Sequence, residues 1–277
     1  MTPPHTDPIA LHYTHGALAS TLEAALAPLA GRTGAELLEQ LGAIDEFHVG
    51  GRAATQALID TLPLPANAHV LDIGCGLGGT ARLLATRLGA RVAGVDLTAE
   101  FVAVGNSLNA RLGLAGQIAL HCADALSLPF AAASFDAATL LHVGMNIADK
   151  PALFQEAARV LKPGGHIAIY DIMRMRPGPL SYPLPWAGHD TYCQVTPPAA
   201  YRQALRGAGF TLLTETDQSP RARAFFAAQR ARATGQAPSR LGLHMLMGPE
   251  AGQKLANIAA QIESGLIAPV EILARRT

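Results

Sequence analysis

The sequence predicts an α/β protein built on a mostly parallel β-sheet, and three observations lead to this prediction. Short apolar segments alternate with longer amphipathic ones from about residue 66 to residue 175. The first apolar segment runs into a glycine-rich turn, LDIGCGLGGT (71–80), which has the spacing G-x-G-x-x-G. The connections are short, and alternating strands and helices with short connections place helices on both faces of a parallel sheet.

The N-terminal part is predicted to be helical. One segment places Leu18, Leu22 and Leu26 on the same helix face. The next segment has Thr33 as a possible N-cap. We expect these helices to form a cap over residues 1–62, in front of a domain that covers residues 63–277. The three predicted helical segments are 15–30, 33–41 and 52–62.

The core contains five predicted strands, each a short apolar run bounded by turn residues. They cover residues 69–74, 91–97, 117–124, 134–143 and 165–173. Amphipathic segments at 80–89, 99–113 and 149–161 are predicted helices. Gly89 and Gly113 stand where glycines commonly end helices.

The C-terminal third is less regular. Its Pro- and Gly-rich segment 174–192 is predicted to be a long loop, followed by a helix that starts near Pro198. Two alternating segments, 210–218 and 267–276, are predicted strands that form a terminal hairpin. Helical segments at 221–233 and 249–264 separate these strands, so we expect lid segments at about 175–200 and 219–266.

With these strands the predicted fold is Rossmann-like: seven strands, mostly parallel with one antiparallel strand, and helices on both faces. An N-terminal helical cap and a helical lid insertion complete it. The 277 residues are 49% hydrophobic and 15% charged, which is enough apolar material for a sizeable core.

Charge and cysteine usage exclude several classes of protein. The formal net charge is zero and basic residues form no long run, which disfavours nucleic-acid binding. No apolar run reaches the length of a membrane span, so no membrane partner is expected. Cys75, Cys122 and Cys193 contain no CxxC pair and fit a reducing cytoplasm. We expect a soluble cytoplasmic monomer or homodimer.

The glycine loop alone leaves the nucleotide cofactor open. Asp96 ends the second strand, 22 residues after Gly74, and an acidic residue there binds ribose hydroxyls in several cofactor classes. Asp124, after the third strand, can accept a hydrogen bond from an adenine amino group, which NAD recognition does not need. A second nucleotide-binding half is also missing, and a hairpin replaces the sixth parallel strand of a dehydrogenase. An NAD-dependent dehydrogenase is therefore the less favoured alternative.

The motifs VLDIGCGLGGTARLLA, VAGVDLT, CADALSLPF, FDAATLLHVGMNIADK and RVLKPGG occur in this order. As an ordered set they resemble class I S-adenosylmethionine-dependent methyltransferases, over about residues 45–215. EFHVGG, MNIADK and PLPWA resemble small-molecule enzymes of that class, nearest to the sarcosine/dimethylglycine and phosphoethanolamine N-methyltransferases. The resemblance implies S-adenosyl-L-methionine as cofactor and methylation of a small metabolite, with nitrogen favoured over oxygen or carbon as acceptor.

The resemblance also implies roles for residues at the strand ends. The glycine loop would pass the methionine part of the cofactor, and Asp96 would accept hydrogen bonds from both ribose hydroxyls. Asp72 is predicted either to organise the methionyl ammonium or to cap the core, and Asp124 either to bind adenine or to cap a local turn. The predicted cofactor-binding residues are Tyr13, Asp72, Gly74, Cys75, Gly76, Asp96, Leu97, Asp124, Ala125 and Leu141.

Two histidines are candidate bases. His142 lies at the end of the fourth predicted strand, where open α/β sheets bind ligands, and His48 lies in EFHVGG. His142 could equally be a structural imidazole packed against the cofactor. The predicted substrate-facing residues are Met145, Asn146, Tyr182, Trp186, Tyr192 and Tyr201.

A metal site is not expected. His5, His12 and His15 lie close together but have no carboxylate or thiolate at ligand spacing. One further alternative stays open, a methyltransferase-like protein that keeps the cofactor structurally while it binds or rearranges a small molecule. The predicted lid carries few cations that could hold an anionic substrate, namely Arg174, Arg176 and, on the following helix, Arg202.

Overall fold

The computed structural model describes residues 8–14, 16–29, 31–32, 34–233 and 241–277. The predicted N-cap Thr33 and the histidines His5 and His15 lie outside these residues. The strands are β1 His69–Ile73, β2 Arg91–Asp96, β3 Ile118–Cys122, β4 Phe135–Leu141, β5 Leu161–Arg174, β6 Phe210–Asp217 and β7 Ile267–Arg276.

The predicted sheet is confirmed. Its order is β3-β2-β1-β4-β5-β7-β6, and β1 to β5 pair in parallel. The last strand, β7, is antiparallel to both of its neighbours, β5 and β6. The order reverses between β1 and β4, which is where a doubly wound sheet opens a crevice at the carboxyl ends of its strands.

The helices follow the predicted segments closely. They are α1 Pro8–Tyr13, α2 Leu18–Leu26, α3 Gly34–Asp45, α4 Gly51–Asp60, α5 Gly79–Leu88, α6 Ala99–Arg111, α7 Lys150–Val160, α8 Pro198–Gly207, α9 Ser219–Ala233, α10 His244–Met247 and α11 Ala251–Glu263. The short helix α10 was not predicted, because four residues are too few to show a helical period. None of the described helices is both long and apolar enough to cross a bilayer.

Strand β5 is longer than predicted. It was expected to begin at Gly165, after a KPGG turn, but it begins at Leu161. Leu161 pairs with Phe135 of β4, and the register then shifts before His166 pairs with Ala137. Glycine and proline in the sequence therefore marked an irregularity within the strand rather than its start.

The inner strands β1, β4 and β7 and most of β2 and β5 are buried on both faces, as in other sheets covered by helices, whereas the edge strands β3 and β6 are partly exposed. In β1, Leu71 and Ile73 pack into one hydrophobic cluster, with side chains of α7 and α8, while Val70 packs on the opposite face with α4 and α5. The predicted helix face of Leu18, Leu22 and Leu26 is also buried, against Phe101 and other apolar side chains of α6. The backbone N–H of Leu18 donates to Glu100 at 2.9 Å, which fixes the start of α2 beside α6.

A buried ion pair joins α3 to α5. Arg82 and Asp45 have fully buried side chains, and their N···O distance is 2.5 Å. Arg82 also donates to the Asn109 side chain and to the Leu77 carbonyl, both at 2.7 Å. Gly79 permits this approach, since a Cβ there would lie 2.7 Å from the Asp45 carbonyl oxygen. The guanidinium is thus satisfied on three sides, as burial of a cation requires.

We expect Arg82→Met to lower the free energy of unfolding by about 3–5 kcal/mol, because it leaves the Asp45 carboxylate buried without its counter-ion. Urea denaturation followed by circular dichroism would measure the change. Arg87→Met, on the same helix, is the matched control, since Arg87 pairs with Asp60 in solvent, with side chains 39% and 52% exposed. It should cost less than about 1 kcal/mol. Equal effects of the two substitutions would contradict the prediction.

Candidate active site

A cavity of about 460 Å³ lies at the carboxyl ends of the central strands. It reaches from the glycine loop after β1 to side chains of α1, α9, α10 and α11. Most of the residues predicted for the site border this one cavity. They are Tyr13, His48, Asp72, Gly74, Cys75, Gly76, Asp96, Leu97, Asp124, Ala125, Leu141, His142, Met145, Asn146, Trp186 and Tyr192.

The glycine loop is fastened to the end of β2. The backbone N–H groups of Gly74 and Cys75 both donate to the Val95 carbonyl, at 2.8 and 2.9 Å. Gly74 has φ +72°, and a Cβ there would lie 2.1 Å from a methyl carbon of Val143. Gly76 has φ +52°, but a Cβ at this residue would meet no atom within 4 Å. The loop therefore packs tightly at Gly74 and presents bare backbone to the cavity at Gly76.

Asp96 is held by the same loop. Its Oδ2 accepts a hydrogen bond from the Gly76 N–H at 2.9 Å, and its Oδ1 accepts one from the Thr98 N–H at 2.8 Å. Burial raises the pKa of Asp96, although these two donors act in the opposite direction. Each carboxylate oxygen has a second lone pair, so a ligand hydroxyl can still bind to either of them.

Asp72, just before the loop, is a buried carboxyl group with one unsatisfied oxygen. Its side chain is almost fully buried, and Oδ1 accepts from the Thr139 hydroxyl at 2.8 Å. The other oxygen, Oδ2, has no hydrogen-bond partner. Burial, and to a lesser extent the charge of Asp96, raises the pKa of Asp72 to about 7. A cationic group arriving beside Oδ2 would favour the ionised form.

Asp124 and Ala125 border the cavity after β3. Asp124 is exposed, and its Oδ1 accepts from the Leu126 N–H at 2.8 Å. The alternative prediction, an aspartate that caps a local turn, describes this hydrogen bond. It does not exclude ligand binding, because Asp124 lines the cavity and has a second carboxylate oxygen.

His142 has an unusual backbone conformation for a residue with a side chain, φ +54°. Its N–H donates to the Tyr170 carbonyl at 2.8 Å, and its ring stacks on that of Tyr170 with centroids 5.5 Å apart. The ring nitrogen Nε2 is buried without a partner. Burial, together with the nearby charge of His48, holds the pKa of His142 well below its usual range. The imidazole is therefore neutral near neutral pH.

His48 lies beside His142, with ring centroids 5.7 Å apart. Its Nε2 is 3.0 Å from Oε2 of Glu46 and 2.8 Å from the hydroxyl oxygen of Thr55. The Thr55 hydroxyl also donates to Glu46, at 2.5 Å. Burial alone would raise the pKa of Glu46, but His48, Thr55 and Arg52 together hold it below its usual range.

Glu46 was not among the predicted site residues. The signal in the sequence was the spacing E-x-H in DEFHVGG, which allows a carboxylate and an imidazole in one turn to meet. This spacing is too common to select a residue by itself. It was the burial of Glu46, with 3% of the residue exposed, that the sequence did not reveal.

Helix α1 borders the cavity, and two of its residues, Tyr13 and His12, contact residues on the cavity rim. The hydroxyl oxygen of Tyr13 accepts a hydrogen bond from the Asn146 amide at 3.2 Å. The Tyr13 ring meets the Phe47 ring edge-on, with centroids 6.1 Å apart. A ring nitrogen of His12 lies 3.1 Å from the carbonyl oxygen of Pro185. Tyr13 and Asn146 thus join the N-terminal segment to the residues that follow β4.

Two of the four aromatic residues predicted to face the substrate do not line the cavity, which corrects the prediction. Tyr201 is fully buried in the core and donates to Asp171 at 2.6 Å, with the Lys150 ammonium 5.4 Å from its ring centroid. Tyr182 packs against the hydrophobic cluster that contains Leu184. The sequence shows only that these positions are aromatic. Whether such a side chain is buried in the core or borders the cavity depends on the direction in which its helix or loop faces, and the sequence does not give that direction.

The predicted cations of the lid region are also turned away from the cavity. Arg174 donates to the Gly178 carbonyl at 2.5 Å, and Arg176 donates to the carbonyls of Ser264 and Gly265. Arg202 pairs with Glu215. Within the described ranges no group of three or more His, Cys, Asp or Glu residues is arranged to hold a metal ion.

Comparison with known proteins adds the family. A model described as a methyltransferase domain matches residues 71–169. The chain is 31% identical over 220 residues to the O-methyltransferase cnsE of Penicillium expansum, a match that covers 78% of this chain and 74% of that protein. It is 35% identical over 130 residues to the methyltransferase GfsG of Streptomyces halstedii, covering 47% of each. With phosphoethanolamine N-methyltransferase 1 of Arabidopsis thaliana the match is 31% identical and covers 61% of this chain and 34% of that protein.

Solved structures with lower identity share the fold. Phosphoethanolamine N-methyltransferase 2 of Haemonchus contortus, solved with S-adenosyl-L-methionine, superimposes with a TM-score of 0.71 at 21% identity, over 94% of this chain and 60% of that one. The [4+2]-cyclase SpnF superimposes with a TM-score of 0.66 at 23% identity, over 92% and 94% of the two chains. The ordered motifs, the seven-stranded sheet and the match to cnsE together show that this chain belongs to the class I methyltransferases, enzymes whose cofactor is S-adenosyl-L-methionine.

Proposed function

We propose that the protein transfers the methyl group of S-adenosyl-L-methionine to a nitrogen atom of a small-molecule metabolite. The observation that carries the proposal is the composition of a single cavity. Carboxylates and a glycine loop form one part, apolar side chains of α9 and α11 form another, and His48 and His142 border the same space. A cavity of about 460 Å³ fits small molecules rather than a polymer.

The residues at the strand ends fit this cofactor. Asp96 would accept hydrogen bonds from the ribose hydroxyls, and Asp124 with Ala125 would bind the adenine edge beside Leu97. The bare backbone at Gly76 and the unsatisfied oxygen of Asp72 suit the methionyl group and its ammonium. Further contacts of the cofactor are proposed for Tyr13, Gly74, Cys75 and Leu141.

When bound, the cofactor supplies a methyl group on a sulfonium sulfur, which keeps the bonding electron pair as the methyl leaves. The chain has to align the acceptor and exclude water, and positioning can supply about 7–11 kcal/mol of the barrier. The segments 1–62, 175–200 and 219–266 would act as cap and lid. Met145, Asn146, Trp186 and Tyr192 would then contact the acceptor.

Nitrogen is the proposed acceptor because the site supplies what an amine needs. An alkylamine is protonated near neutral pH and must lose a proton before its lone pair can attack. His48 lies in the cavity beside the Glu46 carboxylate and is the proposed proton acceptor, a role that typically contributes about 10²–10⁴-fold. His142 is kept neutral by burial and would support His48 and the cofactor rather than take the proton.

The direct test is incubation of the protein with methyl-labelled S-adenosyl-L-methionine and a metabolite extract, followed by mass spectrometry of labelled products. Label on nitrogen of a small product supports the proposal, and label on oxygen or carbon would refute the choice of acceptor atom. Cofactor binding without any labelled product, together with a rearranged metabolite, would favour the alternative in which the cofactor is kept structurally.

We expect Asp96→Ala to weaken binding of S-adenosylhomocysteine by at least about tenfold, because two charge-assisted hydrogen bonds to the ribose are lost. Isothermal titration calorimetry measures this directly. Asp60→Ala, a carboxylate removed from an exposed ion pair, is the control and should leave the affinity unchanged. Unchanged affinity in Asp96→Ala would remove this residue from the cofactor site.

We expect the affinity for S-adenosylhomocysteine to fall as the pH drops below about 7. The pKa of Asp72 is raised to about 7, so below that pH its carboxyl group is protonated. The group must lose this proton before it can pair with the ammonium of the ligand. The affinity should fall about tenfold per pH unit, and one proton should be released on binding. Calorimetry at pH 6 in two buffers with different ionisation enthalpies measures that proton. In Asp72→Asn the slope should vanish, and a slope that persists would contradict the assignment.

A further inference from the structure

The part of the cavity away from the strand ends is lined by apolar side chains from several elements. Trp186 comes from the loop after β5, Phe225 and Phe226 from α9, and Leu255 and Ile258 from α11. Trp186, Phe226 and Ile258 are buried in one hydrophobic cluster, so this wall is part of the packed core of the lid. A ligand in contact with it would gain about 25 cal/mol for each Å² of apolar surface removed from water.

No lysine or arginine borders the cavity in the part of the chain that the structure describes. Proteins bind phosphate and carboxylate groups mainly with arginine, lysine or the free N–H groups at a helix N-terminus. The start of α5, at the glycine loop, has no side-chain cap and would serve the methionyl carboxylate of the cofactor. Helix α7 starts at the border of the cavity, but its N-terminus is already capped. The Asp149 side chain accepts a hydrogen bond from the Ala152 N–H at 2.9 Å. A second negative group at that position would be repelled by Asp149.

Three cations near the cavity, Lys150, Arg52 and Arg82, are directed to groups of the protein itself, and Arg221 of α9, whose Nη1 has no partner, does not border the cavity. The Lys150 ammonium donates to the carbonyls of Ile147 and Gln194, at 2.5 and 3.1 Å. Arg52 donates to the Leu38 carbonyl at 2.8 Å and lies near Glu46. The Arg82 guanidinium is held by Asp45.

We infer that the acceptor is a largely apolar amine that carries no phosphate or carboxylate group. This inference rests on the proposed function and narrows its substrate. It also separates this chain from relatives whose names specify phosphoethanolamine, since no lysine or arginine on the described lining would compensate a phosphate brought into the cavity. An amine fits this lining in both of its protonation states. The protonated amine can pair with aspartates and lie against aromatic rings, and the neutral amine brings no charge into the cavity.

The test uses two fluorescent probes that differ in one anionic group. N-phenyl-1-naphthylamine is an apolar neutral amine, and 8-anilinonaphthalene-1-sulfonate has the same rings with an added sulfonate. Both are titrated into the protein saturated with S-adenosylhomocysteine. We expect the neutral amine to bind at least tenfold more tightly. Equal binding, tighter binding of the sulfonate or binding of neither probe would overturn the inference.

A pair of variants locates the binding. Leu255→Lys places a cation on the cavity wall and should raise the relative affinity for the sulfonate at least tenfold. Leu213→Lys, on the exposed edge strand β6, is the matched control and should leave both affinities unchanged. Calorimetry with S-adenosylhomocysteine is run on each protein. Failure to bind this cofactor product counts against the proposed function, whereas the ratio of the two probes tests the acceptor class.

A second inference concerns how His48 is held, and it rests on a different observation. Nε2 of His48 faces two oxygen atoms, those of Glu46 and Thr55. The Thr55 hydroxyl uses its only proton toward Glu46, so it can only accept from the ring. Nε2 must therefore carry a hydrogen, and the lone pair of the neutral ring is on Nδ1. Nδ1 lies 3.4 Å from the carbonyl oxygen of Val49, which would accept the hydrogen that Nδ1 gains when the ring is protonated.

Arg52 favours a charged Glu46, and three further titratable groups lie around the pair. Arg52 approaches Oε1 of Glu46 at 3.6 Å, and His142, the imidazole next to His48, is kept neutral by burial. The Tyr170 ring packs against both imidazoles, and burial keeps its hydroxyl protonated by raising its pKa. Asp72 is a further titratable group nearby, and the charge of Glu46 contributes to its raised pKa.

We propose that Glu46 is a positioning residue that fixes the Nε2–H tautomer of His48 and so makes Nδ1 the proton acceptor. In the reaction, the proton would move from the acceptor nitrogen to Nδ1, and the freed lone pair on that nitrogen would form the new bond to carbon. The Glu46 carboxylate then faces the imidazolium through the Nε2–H bond already in place. No further co-reactant is needed for this step.

The tautomer can be read directly by long-range ¹H–¹⁵N NMR of the protein labelled with ¹⁵N-histidine and saturated with S-adenosylhomocysteine. His48 signals are assigned by their loss in His48→Gln. We expect the Nε2–H form in the natural protein, above the pH range where the ring is protonated. In Glu46→Leu the Thr55 hydroxyl becomes free to donate to Nε2, so the Nδ1–H form should dominate.

Thr55→Val is the matched control, because it removes the hydroxyl while it keeps the carboxylate, and it should retain the Nε2–H form. An Nδ1–H tautomer in the natural protein would overturn the proposal even if Glu46→Leu did not fold. An unchanged tautomer in folded Glu46→Leu would also overturn the proposal. The affinity for S-adenosylhomocysteine is measured alongside, and its absence would instead contradict the proposed function.

Discussion

The site depends on one carbonyl group, that of Val95 at the end of β2. It accepts the N–H groups of both Gly74 and Cys75, and this fastens the loop after β1 to the neighbouring strand. The fastened loop places the Gly76 N–H against Asp96, and Asp96 in turn receives the Thr98 N–H. A short chain of backbone donors, together with the Thr98 hydroxyl, thus fixes the position of a carboxylate.

This dependence explains why so much of the fold, and many of the residues that line the cavity, could be predicted from the sequence. Strands, glycine turns and acidic strand ends are local patterns, and Asp72, Asp96 and Asp124 each follow directly from where a strand stops. The acceptor side depends on how distant segments face each other. Tyr201 and Trp186 are both aromatic residues after β5, yet one is buried beside Asp171 and the other borders the cavity. Sequence periodicity carries no information about that difference.

Glu46 shows the same limit for polar residues. A glutamate two residues before a histidine is common on protein surfaces, and here it is its burial against Thr55 and Arg52 that turns the pair into a rigid unit. Burial also separates the two imidazoles, since His142 is held in a strained backbone conformation and kept neutral, while His48 faces a carboxylate. Environments that differ this much allow two chemically identical side chains to have different roles.

Helix α1 has a practical consequence. Tyr13 forms part of the cavity wall, but the nearest hydrophobic core is completed by Leu18, Leu22 and Leu26 of the next helix. A chain shortened to begin at Leu18, a tempting choice for crystallisation, would keep that core and lose a side of the binding site. Such a protein could show a normal thermal melt although its cavity lacks the wall formed by Ile9 and Tyr13, so expression trials are better judged by cofactor uptake than by yield.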